Sequence, residues 1–275
     1  MPRYFLEFCF KGTHYSGWQI QDNAVSVQEK INRALSVLLN TEIETIGCGR
    51  TDAGVHAKQF FAQFDSANEI NDKYKFVHQL NSLLPNDISI FDFYPVKEAA
   101  SVRFNAISRT YEYYLCRGKN PFLKEYVAAM FYDVDVPALN EACKILSEYN
   151  DFKCFSKSRT QVKHTICKIS EAKWEEKNGF HKFTISANRF LRGMVRAIVG
   201  TLLQIGKRDL TLEDFKKIIE NKERSAAGAS VDACGLYLSK IEYPYLKIDR
   251  EFEFPFDVRS QKSEIRDRKS EIKNY

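Results

Sequence analysis

Hydrophobic periodicity changes along this chain in an order that leaves few folds open. Residues 3–10 (Arg3-Tyr4-Phe5-Leu6-Glu7-Phe8-Cys9-Phe10) are aromatic-rich and roughly alternating, the pattern of a strand with at least one buried face. Ser26 with Glu29 three residues on forms a capping-box signature. Val27, Ile31, Ala34, Leu35 and Leu38 then recur at helical spacing, which predicts a helix over 27–39. Strand-like stretches at 42–48 and 58–64, a helix marked by Val77, Leu80 and Leu84, and a strand over 88–95 complete the order β-α-β-β-α-β. This is the order of the split βαβ, or ferredoxin-like, unit.

The same kinds of element return after residue 107. A strand over 110–116 is followed by a helix over 137–148 carrying Leu139, Ala142, Cys143 and Leu146, and by strands over 165–175 and 180–187. A long helix follows, with Leu191, Met194, Val195, Ile198, Val199, Leu202 and Leu203 on its apolar face. Thr211, Leu212, Phe215, Ile218 and Ile219 mark another helix, and 235–243 reads as a closing strand. The expected fold class is α+β, with two ferredoxin-like halves joined near 97–107 and their sheets side by side around a central cleft. Residues 1–100 form the N-terminal lobe, 101–246 the C-terminal lobe and 247–275 a charged tail. The halves share no evident sequence identity, so the repeat is one of architecture. The tail carries eight Lys or Arg and seven Asp or Glu around Phe252-Glu253-Phe254-Pro255-Phe256, and reads as a solvated appendage that docks by its phenylalanines.

Composition narrows the partners less. The 41 Lys and Arg against 36 Asp and Glu leave a formal charge of +5, which permits a polyanionic partner without demanding one. No run reaches the roughly 18 apolar residues of a membrane span, and Met1 to Glu7 lack the apolar core of a signal peptide, so a cytosolic protein is expected. The seven cysteines make no Cys-x-x-Cys pair and read as reduced thiols. His164 and Cys167 form an isolated His-x-x-Cys with no second pair of ligands nearby, so no metal site is expected.

Gly47-Cys48-Gly49-Arg50-Thr51-Asp52-Ala53-Gly54 sets a cation and a carboxylate two residues apart in a short glycine-bounded loop between apolar strands. Such a loop at a sheet end supports two readings: a turn in which Asp52 bonds nearby amides, or a carboxylate displayed for chemistry. Spacing alone does not choose between them. Lys153, Lys157, Arg159, Lys163, Arg189 and Arg192 are candidate phosphate contacts, against a plain reading as a solvated charged face.

The longer string Gly47 to Ala57, including Val55 and His56, closely resembles the catalytic loop of the TruA family of tRNA pseudouridine synthases. The resemblance extends in order to Tyr15-Ser16-Gly17-Trp18-Gln19, Ser26-Val27-Gln28-Glu29, Arg103-Phe104, Arg109-Thr110-Tyr111-Glu112-Tyr113, Met194-Val195-Arg196, Ile198-Val199-Gly200 and Gly235-Leu236-Tyr237-Leu238, and covers about residues 3–243. It departs from the family pattern at Leu191-Arg192-Gly193. The resemblance implies the pseudouridine synthase fold, and an enzyme that breaks the glycosidic bond of a uridine, turns the uracil and rejoins it through carbon, without a cofactor. It makes Asp52 the nucleophile, Arg196 its ion-pair partner, Tyr111 the residue that stacks on uracil and helps remove a proton, and Arg50 the arginine that fills the space of the extruded base. His56 is read as structural. The resemblance further implies a homodimer gripping one tRNA, with target uridines at positions 38, 39 and 40 of the anticodon stem-loop. A non-catalytic RNA-binding protein and a synthase acting on another RNA are the alternatives; a hydrolase or lyase using Asp52 with His56 lacks a positioned serine, cysteine or metal set.

Overall fold

The computed structural model describes residues 1–157 and 164–248. Nine strands and five α-helices occur among them: β1 (Arg3–Phe10), α1 (Val27–Leu39), β2 (Ile46–Gly47), β3 (His56–Asp65), α2 (Lys73–Leu83), β4 (Ile88–Val96), β5 (Ser108–Arg117), β6 (Ala128–Met130), α3 (Val136–Leu146), β7 (Ile169–Lys177), β8 (Phe180–Ala187), α4 (Met194–Gly206), α5 (Leu212–Asn221) and β9 (Leu236–Glu242). The predicted helix over 27–39 is present residue for residue, and Ser26 accepts the Glu29 amide as its N-cap.

All nine strands belong to one mixed sheet, ordered β4-β1-β3-β9-β5-β8-β7, with β2 also paired to β3 and β6 to β5. Within each half of the chain the first strand lies between the fourth and the third, and the second strand lies beyond the third: β4-β1-β3-β2, then β9-β5-β8-β7. The halves meet where β3 pairs in parallel with β9, His56 opposite Tyr237 and Ala57 opposite Leu238. The last of the described strands thus sits in the middle of the sheet, antiparallel to β5 on its other side.

Two apolar clusters flank this seam. One gathers Phe5, Phe8, Trp18, Ile31, Leu35, Phe60 and Phe64 around β1, β3 and α1. The other gathers Tyr113, Leu146, Phe152, Trp174, Phe183, Ile198 and Leu202 around β5, β8 and α4. The clusters exchange residues: Leu238, Ile241 and Tyr243 of the C-terminal segment pack in the first, and Val55 packs in the second. Tyr111 touches both.

Three elements differ from expectation for visible reasons. Only Ile46–Gly47 of the 42–48 stretch joins the sheet. Its earlier part is held by polar side chains of α1: Ser36 accepts the Ile43 amide, Asn32 accepts the Thr45 amide and hydroxyl, and Gln28 donates to the Thr45 carbonyl. The strand expected from 165 begins at Ile169, because 165–167 bond to Asn150 and Phe152 instead of β8. Leu191, expected on the apolar face of the long helix, lies before it and is buried all the same; Gly193, at φ +71°, makes the turn that starts α4. Arg159, Lys163 and the tail from 249 onward, with its phenylalanines, lie outside the described residues.

Candidate active site

The loop from Cys48 to Val55 enters β3 at the seam, and close backbone packing holds it there. Trp18 donates its amide to Thr51 Oγ1 at 3.0 Å, and Gly54 donates to the Tyr15 carbonyl at 3.2 Å. Gly17 makes the approach possible: it has φ +86°, and a Cβ there would lie 2.1 Å from the Thr51 carbonyl oxygen. Gly12 donates its amide to His56 Nδ1 at 3.0 Å, and the His56 ring stacks on Tyr237 with centroids 4.6 Å apart. Burial lowers the pKa of His56 to about 4, so the imidazole stays neutral and holds the strand entry.

Asp52 points from this loop toward the start of α4. Its carboxylate lies 3.5 Å from Arg196 Nη1 and 3.7 Å from Arg192 Nε, and keeps 22% of its side-chain surface exposed. Arg196 is equally sheltered, whereas Arg192 is 58% exposed. Arg196 is also anchored from behind: its Nε donates to the Val231 carbonyl at 2.7 Å, and its own carbonyl accepts the Val231 amide at 3.3 Å. Gly200, one turn further along α4, lets that segment lie flat, since a Cβ there would sit 1.9 Å from the Ala229 oxygen. The guanidinium is therefore aimed before any ligand arrives.

Tyr111 lies on β5, with Ile185 and Leu238 as cross-strand neighbours and the Phe190 ring edge-on at 5.1 Å. Burial pushes its phenol well above the usual value, with the Cys48 thiol and the Asp52 carboxylate acting in the same direction and Arg109 against it. The hydroxyl thus stays protonated and able to donate. Arg50 is exposed, and its side chain makes no hydrogen bond or ion pair among the described residues. The structure accordingly pairs Asp52 with Arg196, sets Tyr111 where the Asp52 charge is felt at its phenol, and leaves Arg50 exposed.

The other basic residues divide. Lys153 and Lys157 are exposed, and Arg189 leans on the His164 ring with Nη1 3.0 Å from Nε2. Arg192 reaches the Asp52 carboxylate, a placement that reading it only as a candidate phosphate contact did not anticipate. Val231 left no trace in the sequence pattern, since its contribution is a backbone carbonyl.

A family model described as tRNA pseudouridine synthase matches residues 142–244. A tRNA pseudouridine synthase A from Bacteroides fragilis is 47% identical over 245 residues, 89% of this chain and 97% of the relative. The chain belongs to the tRNA pseudouridine synthase A family. A synthase A from Parabacteroides distasonis is 46% identical over 244 residues, covering 89% of this chain and 97% of the relative. A more distant one from Bacillus cereus, named tRNA pseudouridine synthase A 2, is 35% identical over 246 residues, covering 88% of this chain and the whole relative. As a member of the synthase A family, the chain presents its sheltered carboxylate from a loop at the seam. No helix among the described residues is long and apolar enough to cross a membrane.

Proposed function

We propose that this protein isomerises uridine to pseudouridine in tRNA, at positions 38, 39 and 40 of the anticodon stem-loop, with Asp52 as its nucleophile. The observation that carries the reading is the half-sheltered Asp52 carboxylate beside the pre-aimed Arg196 guanidinium at the seam. The reaction breaks the bond from C1′ to N1 and forms one from C1′ to C5; the proton lost from C5 is balanced by one gained at N1. A carboxylate can add to the uracil ring or assist at the anomeric carbon, and both routes return it unchanged without a cofactor.

In this reading Arg196 holds Asp52 oriented and ionised. Tyr111 stacks on the extruded uracil and its hydroxyl takes part in proton transfer from C5, while Arg50 moves into the space the base leaves in the RNA stack. Lys153, Lys157, Arg189 and Arg192 meet phosphates, consistent with recognition by shape and backbone. The strand order within each half supports two ferredoxin-like lobes, 1–100 and 101–246, around a central cleft, with 247–275 as an appended tail. The working unit is a cytoplasmic homodimer that grips one tRNA.

Pseudouridine mapping in tRNA from cells lacking the protein tests the substrate: loss at the anticodon arm is expected, and an unchanged map there overturns the assignment. Purified Asp52→Ala should bind tRNA and form no product. Turnover by that variant would remove Asp52 from the nucleophile's role.

A further inference from the structure

Arg109 stands on β5 two residues before Tyr111, and no carboxylate among the described residues pairs with it. Backbone carbonyls take that place. Its Nη2 donates to the Cys48 oxygen at 3.1 Å and to the Arg103 oxygen at 2.7 Å; its Nη1 donates to the Asn188 oxygen at 3.0 Å and to the Ala106 oxygen at 3.4 Å. Four of the five N–H groups of one planar fork are spent on three separate segments of the chain.

Those segments are the ones that converge on the site. Cys48 opens the loop that carries Asp52, four residues on. Arg103 and Ala106 belong to the connection between β4 and β5. Asn188 directly follows β8 and opens the turn that leads through Arg192 into α4 and Arg196. The Asp52 loop is tied by Trp18 at Thr51 and by Tyr15 at Gly54, its Cys48 amide bonds the Phe61 carbonyl, and Arg109 takes the Cys48 carbonyl, linking the near end of the loop to the other two segments. The same side chain thus reaches the approach to both members of the Asp52–Arg196 pair.

We propose that Arg109 is a positioning residue for the uridine isomerisation: by clamping these carbonyls together it sets the separation of Asp52 from Arg196 without touching the substrate. The proposal rests on the isomerase reading above. A lysine cannot replace it, because one ammonium cannot span carbonyls on both sides of the fork. A displacement near 1 Å at the reacting groups costs on the order of 10²-fold in rate.

The test is steady-state pseudouridine formation on tRNA by wild type, Arg109→Ala and Arg109→Lys, with tRNA affinity and the thermal midpoint measured on each. Wild type must first form pseudouridine; its failure to do so would refute the isomerase reading rather than this one. Expected for Arg109→Ala is a fall in kcat of roughly 10²-fold with KM changed less than about threefold, and recovery of tenfold or more when methylguanidinium is added. Arg109→Lys should stay at least about tenfold below wild type, and it carries the test if the alanine variant does not fold. Leu80→Ala, which opens a cavity under α2 away from the Asp52 loop, lowers stability and should keep wild-type kcat per folded molecule. Wild-type kcat in folded Arg109 variants, a lowered thermal midpoint with no loss of kcat, or a rise in KM alone would each overturn the proposal, the last by making Arg109 an RNA contact.

Discussion

Lys58 on β3 and Glu112 on β5 meet across β9, with Nζ 2.7 Å from Oε2 and side-chain exposures of 4% and 5%. Lys58 also donates to the Tyr114 hydroxyl at 2.7 Å, which in turn donates to Glu112 at 2.9 Å, and the ammonium lies 4.9 Å from the Tyr114 ring centroid. At an effective dielectric of about 20 the pair attracts by roughly 6 kcal/mol, a gross figure that desolvation of two ions largely offsets. Removing one partner forfeits the attraction and keeps the other ion's desolvation cost. Lys58→Met should therefore lose about 3–5 kcal/mol, a large fraction of an ordinary folding free energy. The double variant Lys58→Met with Glu112→Leu should recover at least about 2 kcal/mol of that loss, because no buried charge is then left over. Urea unfolding followed by tryptophan fluorescence reads the seam from both sides, since Trp18 lies in one apolar cluster and Trp174 in the other. A loss under about 1 kcal/mol for Lys58→Met, or a double variant no more stable than the single, would refute the reasoning.

Arg196→Ala should lower turnover by 10²-fold or more on the scale of other electrostatic anchors, with tRNA binding little changed. Arg196→Lys should not restore it, because one nitrogen cannot serve both the Val231 carbonyl and Asp52; near-normal turnover by either variant would contradict the ion pair. Tyr111→Phe keeps the ring and removes the hydroxyl, so tRNA binding should persist while turnover falls about 10²- to 10⁴-fold; unchanged turnover would confine Tyr111 to stacking. His56 is held neutral, with its pKa lowered from 6.5 to about 4. The unfolded chain takes up that proton first, so stability should be lost as pH falls from 6.5 toward 4, by about 3 kcal/mol at most. His56→Gln should flatten that part of the acid limb in pH-dependent unfolding, and an identical limb in the variant would show that His56 does not contribute.

The sequence disclosed what depends on side-chain pattern. Ser26 and Glu29 announced the start of α1, and the strand pattern over 180–187 announced β8, because caps and pleats are written in residue type at fixed spacing. Leu191 was legible as buried but not as preceding its helix, since burial and helicity carry the same apolar signal. The 42–45 stretch looks like a strand because β-branched Ile43 and Thr45 alternate with Glu42 and Glu44, yet Asn32 and Ser36 on α1 take its backbone groups before the sheet can. At the site, Asp52 alone supported a turn reading as well as a catalytic one, and its extended motif gave Arg196 and Tyr111 as companions. The grip of Arg109 on four carbonyls, the Val231 oxygen behind Arg196 and the parallel seam of β3 with β9 were hidden, because backbone oxygens are the same in every residue and strand partners distant in sequence leave no local mark.

The placement of β9 between β3 and β5 gives the molecule an order of assembly on the ribosome. All of β1 to β4 is synthesised well before Leu236 to Glu242. At translation rates of about 5–20 residues per second the stretch of β3 at His56 and Ala57, beside the Asp52 loop, waits on the order of ten seconds or more for its parallel partner. During that interval it is an open strand edge, able to recruit foreign strands. The last of the described strands to leave the ribosome closes that edge, so the surroundings of the Asp52 loop are the final part of the described fold to be completed.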